Sequence, residues 1–442
     1  MRRINFVLAA SCIVGATGLL LAIASGAEKP AVEKAASEKI IYSFTGGSDG
    51  ANPQSDLILD SEGNLYGTTY YGGSGTVCGN SGCGTVFELK RKDGWKEEVL
   101  YSFKGGDDGE LPAAGLIFDN ADNLYGTTSD GVDTLACGTV FKLTRNPSGR
   151  WTESVIYRFD CNSRSGGGPA FDLVFDAHGN IYGTTSQLGV GGLCHDYGCG
   201  AVFELTPHTD GSWTETTIHA FTGGADGLQP SSGVIFDSSG NLYGMTSSGG
   251  KGNCVLTNYH PGCGIVYEFT RSPSGGWTET VIYRFHRGEG LAVNPSGGLI
   301  LNNTGDLFAT SLAGGDGRGT VLELKELKKG WEQSVLHRFS GNPDGILPVG
   351  KVEMGQTGDL FGVTSNGGSG YQHGVVFELK RSETGTWKER ILHSFVGGKL
   401  DGDSPRAGVA LGPHGRLYGT TSVGGSGTGC GTGCGTVYEI TP

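Results

Sequence analysis

The chain has 442 residues, 82 of them glycine, and a formal net charge of −13. Its 32 basic residues are scattered, which excludes nucleic acid or an anionic membrane surface as a partner, since both demand a basic face. Glycine at more than twice its usual share, with no helix-periodic stretch beyond the N-terminus, excludes a helical fold.

Residues 1–27 read as a secretory signal: Arg2 and Arg3, an uncharged apolar stretch from Phe6 to Ala24, then small residues to Ala27. Cleavage after Ala24 and cleavage after Ala27 both satisfy the small-residue rule. Left uncleaved, the 19-residue stretch approaches the roughly 20 residues that span a bilayer and would act as an N-terminal anchor, the one membrane contact expected. Residues 28–36 form a short linker, and 37–442 a single repetitive domain.

The repeat begins with a strand from Glu38 to Phe44. Four strands then recur, read from runs of Val, Ile, Leu, Tyr and Phe bounded by Gly, Asp, Asn and Pro. In the first full copy strand A is Asp56 to Asp60, B is Asn64 to Thr69, C is Gly84 to Lys90 and D is Trp95 to Phe103. A tight Gly-Asn or Gly-Asp turn joins A to B, at Gly179-Asn180, Gly240-Asn241, Gly305-Asp306 and Gly358-Asp359, which is hairpin chemistry. The tyrosine of the phrase LYG, or its replacement, falls at Tyr66, Tyr125, Tyr182, Tyr243, Phe308, Phe361 and Tyr418. The steps of 59, 57, 61, 65, 53 and 57 signal a solenoid or a propeller.

The ends decide between them. The domain starts with a D strand and finishes with a C strand, Thr436 to Thr441. The seventh copy lacks its own D strand, so the N-terminal one must supply it and close a ring with no exposed edge. The prediction is an all-β, seven-bladed β-propeller of four-stranded antiparallel blades, expected as a monomer.

Ten cysteines follow the signal. Four local pairs, Cys78/Cys83, Cys194/Cys199, Cys254/Cys263 and Cys430/Cys434, would each tie the B–C loop to the start of strand C. Cys137 begins strand C without an upstream partner, and the strand order brings Cys161 beside it. Zinc is the alternative, but no pair has the two-residue knuckle spacing, and an exported chain meets an oxidising compartment. Five disulfides are predicted.

The phrases GLIFD, GNLYGTT and GTVFEL resemble the GloVer tandem repeat of exported bacterial choice-of-anchor proteins, over about Glu38 to Pro442. The resemblance implies a propeller architecture and export, to a secreted, periplasmic or cell-surface location, and no assigned activity. Many such proteins carry a C-terminal sorting segment; here the last strand runs directly to Pro442, so no C-terminal anchor is expected.

All six tryptophans, Trp95, Trp151, Trp213, Trp277, Trp331 and Trp387, begin D strands, a regularity that marks packing rather than sugar stacking. His219, His337 and His393 stand where other D strands carry Tyr42, Tyr101, Tyr157 and Tyr283, and read as structural substitutes. Function should lie where loops vary, on the face that collects the B–C loops and D–A connections. That face carries an Asp-Gly-x-x-Pro phrase at Asp49, Asp108, Asp226, Asp344 and Asp401, with Glu289 standing in once. These carboxylates would hydrogen-bond sugar hydroxyls or hold calcium, whose preferred ligands are carboxylate and carbonyl oxygens; turn chemistry is the competing account. Tyr70, Tyr71, Tyr197 and Tyr259 add aromatic rings suited to carbohydrate.

No serine elbow, His-x-x-x-His or phosphate loop occurs, so no catalytic residue, resident metal or cofactor is assigned. Three roles stand: a module binding carbohydrate or surface polymer, a protein-interaction scaffold of the envelope, and a propeller glycosidase or lyase using strand A carboxylates such as Asp56 and Asp172 near the central channel.

Overall fold

The computed structural model describes residues 35–129, 136–160, 166–187, 198–252, 254, 262–273, 275–288, 291–314, 317–369 and 372–442. Residues 36–442 form one compact unit, a seven-bladed propeller of antiparallel four-stranded sheets. Among the described residues no helix is long and apolar enough to cross a membrane. The expected signal or anchor at residues 1–27 lies outside the described residues, as do Cys161, Cys194, Tyr197, Tyr259 and Glu289.

In the first blade strand B is Leu65–Tyr71, C is Thr85–Lys90 and D is Lys96–Ser102. Strand A differs from expectation. It is two short pieces, Ala51–Pro53 and Ile58–Leu59, pairing with opposite ends of B. Residues 54–57 between them leave the ladder. The same interruption separates Leu228–Pro230 from Ile235–Phe236 and Ala292–Pro295 from Ile300–Leu301. Side chains from that gap line the axis, so the interruption builds the channel wall.

The N-terminal strand Ser37–Ser43 pairs with the last strand Thr436–Thr441, from Ser37 opposite Thr441 to Ser43 opposite Thr436. The seventh blade is thereby completed by the first strand. Phe44, Leu57, Phe87, Tyr418 and Val437 then pack in one cluster across the seventh and first blades.

The core is divided among the seven blade contacts rather than gathered at one centre. Three of the contacts share one recipe. The opening tryptophan of strand D meets the LYG tyrosine of the preceding blade edge-on: Trp95 with Tyr418 at 5.6 Å, Trp213 with Tyr125 at 6.3 Å, Trp277 with Tyr182 at 6.0 Å. The LYG glycine lies beneath the strand C aromatic; a Cβ on Gly67 would stand 2.8 Å from both Phe87 and Leu57. In the fifth blade Ala309 replaces that glycine, and the residue opposite is Leu322 instead of an aromatic. The recurring strand C glutamates are explained too, since the Tyr66 hydroxyl donates to Glu88 at 3.0 Å and Tyr182 to Glu204 at 2.7 Å.

Disulfides join Cys78 to Cys83, Cys254 to Cys263 and Cys430 to Cys434, as expected. Cys137 and Cys199 are disulfide-bonded as well, and their expected partners fall outside the described residues.

Candidate functional site

Ahead of its GLIFD phrase every blade carries a left-handed residue followed by proline. Asn52, Leu111, Gln229, Asn294, Leu347 and Ser404 have φ of 55–58°, and Gly168 takes the place in the third blade with φ 66°. A non-glycine residue in this region costs on the order of 1 kcal/mol and persists only where its surroundings hold it. Here the backbone N–H of each donates to the preceding blade, as Asn52 does to the Cys434 carbonyl at 2.7 Å and Leu111 to that of Cys83 at 3.0 Å. The ring of strained positions fixes the channel mouth on the B–C and D–A loop face.

Inside that mouth the glycine of the GLIFD phrase faces the axis. The seven blades place there Asp56, Gly115, Asp172, Gly233, Gly298, Lys351 and Gly408. Glycine is the default, and three charges replace it. They converge, with Lys351 Nζ 3.5 Å from Asp56 and 3.6 Å from Asp172. Asp56 also accepts the Gly408 N–H at 2.6 Å, and Asp172 accepts that of Gly115 at 2.8 Å. Burial in the narrow channel pushes the Asp56 carboxyl up while Lys351 pulls it down; Asp56 beside Lys351 holds the ammonium well above its ordinary range. Lys351 therefore stays charged, and burial raises the nearby Glu353. The cavity here measures about 180 Å³ and includes Gln54, Arg406, Ser231 and Ser296. The last two carry buried hydroxyls with no hydrogen-bond partner among the described residues.

A second cleft of about 520 Å³ opens beside the channel and shares Gln54, Ala113 and Ala170 with it; Tyr70, Ser186 and Gln187 complete its polar wall. Tyr70 departs from the repeat. At the equivalent position Ser129, Ser186, Ser247, Ser365 and Ser422 donate to the carbonyl of the left-handed residue, for example Ser129 to Leu111 at 2.8 Å. Only the first and fifth blades differ, with Tyr70 and Leu312. Tyr71 stands edge-on to Tyr70 at 4.8 Å and is 38% exposed.

The five rim aspartates occupy separate blade junctions and do not come together. Each carboxylate closes its own turn. Asp49 accepts from the Tyr42 hydroxyl at 3.0 Å and the Thr45 N–H at 2.8 Å. Asp108 accepts from Tyr101 at 2.6 Å and the Lys104 N–H at 2.7 Å. In the histidine blades His219 meets Asp226 at 3.3 Å, His337 meets Asp344 at 3.1 Å and His393 meets Asp401 at 3.2 Å. Burial acts to raise Asp226, yet hydrogen bonds from His219 and Thr222 hold it at about 2. A glutamate from the next D strand completes each junction but one, where Gln333 stands; burial pushes Glu97 and Glu153 up to about 7.

Sequence reasoning places function on this face and names Tyr70 and Tyr71, but passes over Lys351, Gln54 and Arg406. Aligning the seven GLIFD phrases exposes the charges at the glycine position. On the opposite face the A–B and C–D turns frame open grooves between blades of about 680 and 930 Å³.

The model of the Gloeobacter/Verrucomicrobia repeat matches residues 31–257 and again 254–442. The chain belongs to this family. No curated protein matches it. Among solved structures, a fungal alcohol oxidase of the AA5 family in complex with copper is 11% identical, with a TM-score of 0.50, covering 92% of this chain and 77% of its own. A putative oxidoreductase (glucose dehydrogenase) from Thermus thermophilus is 14% identical with a TM-score of 0.41, over 92% of this chain and 100% of its own. At 11% identity the likeness to the alcohol oxidase speaks of fold alone. The family's repeat accounts for the scaffold, and Asp56, Tyr70, Asp172 and Lys351 are departures from the pattern of this chain's other repeats.

Proposed function

We propose that the protein is an exported binding module whose ligand, a carbohydrate or polyhydroxylated surface polymer, sits at the channel mouth between the first and third blades. The observation that carries this reading is the replacement of the repeat's serine by Tyr70, beside exposed Tyr71, over a cleft lined by Gln54, Ser186 and Gln187. An aromatic face beside amides and hydroxyls matches a sugar's apolar ring face and its hydroxyl rim. The channel charges below supply further hydrogen-bonding groups. The disulfides are compatible with an extracellular location.

Residues 28–442 screened on a glycan array, with calcium and with chelator, test the reading. Saturable binding to one glycan class supports it, and chelator-sensitive binding would bring calcium to the rim aspartates. Silence in both conditions, with capture of an envelope protein, selects the scaffold role.

A further inference from the structure

The blade junctions that carry histidine differ in chemistry from those that carry tyrosine. A tyrosine hydroxyl gives one proton to its aspartate, as Tyr101 does to Asp108, and is a weak ligand for a cation while it keeps that proton. A neutral imidazole offers a nitrogen lone pair. At two junctions this nitrogen lies among two carboxylates drawn from different blades: His337 with Asp344 and Glu389, and His393 with Asp401 and Glu38, the donor atoms of each set all within 4.8 Å of one another.

At the first junction Asp344 Oδ2 accepts from the Ser340 N–H at 2.7 Å and its hydroxyl at 2.8 Å, leaving Oδ1 turned to His337 Nε2 at 3.1 Å. Glu389 Oε1 lies 3.8 Å from the same nitrogen and is buried with no hydrogen-bond partner; Oε1 of Glu38 is buried and unpartnered in the second set. Donors at about 2.0–2.2 Å from one metal ion stand roughly 3.0–3.6 Å from each other, so at the first junction His337 and Asp344 already have ligand spacing and Glu389 is the donor that must close in on the imidazole.

We propose that these two histidine junctions each bind a divalent first-row metal ion, with one imidazole and two carboxylates as protein ligands. One imidazole and two carboxylates form a nitrogen and oxygen set that zinc accepts. The second site joins Glu38 of the ring-closing strand to the sixth blade's D strand and the connection that follows it, so its ion would staple the closure.

The purified chain, stripped with chelator and desalted, is titrated with zinc by calorimetry, and bound metal is counted after a second desalting. Two ions per chain are expected, with a rise in melting temperature. His337→Tyr and His393→Tyr each remove one ion and the double variant both; tyrosine already stands at this position in blades such as the second, so the variants keep a junction the scaffold accommodates. His219→Tyr serves as the control: the donor atoms of His219, Asp226 and Glu279 do not gather within 4.8 Å of one another as the other two sets do, and both ions remain. No saturable zinc binding by the wild-type chain, or unchanged stoichiometry in the double variant, overturns the proposal.

Discussion

Lys351 of the sixth blade reaches across the axis to Asp56 of the first, ammonium to carboxylate at 3.5 Å. Two blades far apart in sequence are thereby tied at the channel, at positions where the repeat otherwise has glycine. Removing the lysine leaves Asp56 buried with only the Gly408 N–H to offset its charge. Lys351→Met should lower stability by about 2 kcal/mol, less than a fully buried pair because a third of the lysine side chain meets water. The double variant with Asp56→Asn should recover part of this. A denaturant double-mutant cycle measures the coupling, and additive losses would show the pair to be energetically silent.

Glu97 and Glu153, each beside a tyrosine of the neighbouring blade, are held near 7 in the folded chain against 4.5 ordinarily, by burial first. The folded state binds these protons more tightly than the unfolded state. Their contribution is complete below pH 4.5 and is lost as pH rises through about 7. Both groups remain partly exposed, so each amounts to on the order of 1 kcal/mol after solvent screening. Melting temperature measured from pH 5 to 8 should fall, and less steeply in the Glu97→Gln, Glu153→Gln double variant. Equal slopes would contradict the assignment.

Gly67→Ala drives a Cβ to within 2.8 Å of Phe87 and Leu57 in a sealed core and should cost about 1–3 kcal/mol. Adding Phe87→Leu recreates the Ala309 and Leu322 pairing of the fifth blade and should restore part of the loss. Urea midpoints of the three chains decide the matter. No rescue would mean that the strand C aromatic is not what reserves this place for glycine.

Removing residues 37–44 deletes the strand paired with Thr436–Thr441 and the buried Phe44, opening the ring. Two edges of the last blade contact lose their cover. A broadened, much lower thermal transition is expected by calorimetry, and a truncated chain melting like its parent would refute closure by the first strand.

The architecture is legible because each repeat states its turns, its LYG and GTVFEL strands and its opening tryptophan in fixed order, and because the first strand has a single vacant place to fill. Strand A is legible only in its second half: Ala51–Pro53 is too short and too polar to announce a strand, and its pairing depends on a left-handed Asn52 that only the contact with Cys434 reveals. Asp49 and Asp108 stand out by repetition, yet their partners, Tyr42 and Tyr101, lie seven residues upstream across a turn. Lys351 is hidden for the opposite reason. Its meaning comes from two aspartates roughly 180 and 300 residues away, brought close by ring closure alone.

The central claim is a ligand seated against Tyr70, and the most direct test is the affinity of the glycan class selected by the array for the wild-type protein and for Tyr70→Ser. Serine is the repeat's own residue at this position and preserves the scaffold. Calorimetry should show affinity falling about tenfold or more, the loss of one stacked aromatic contact, with an unchanged melting temperature. Equal affinity for both chains would place the ligand elsewhere and contradict the account.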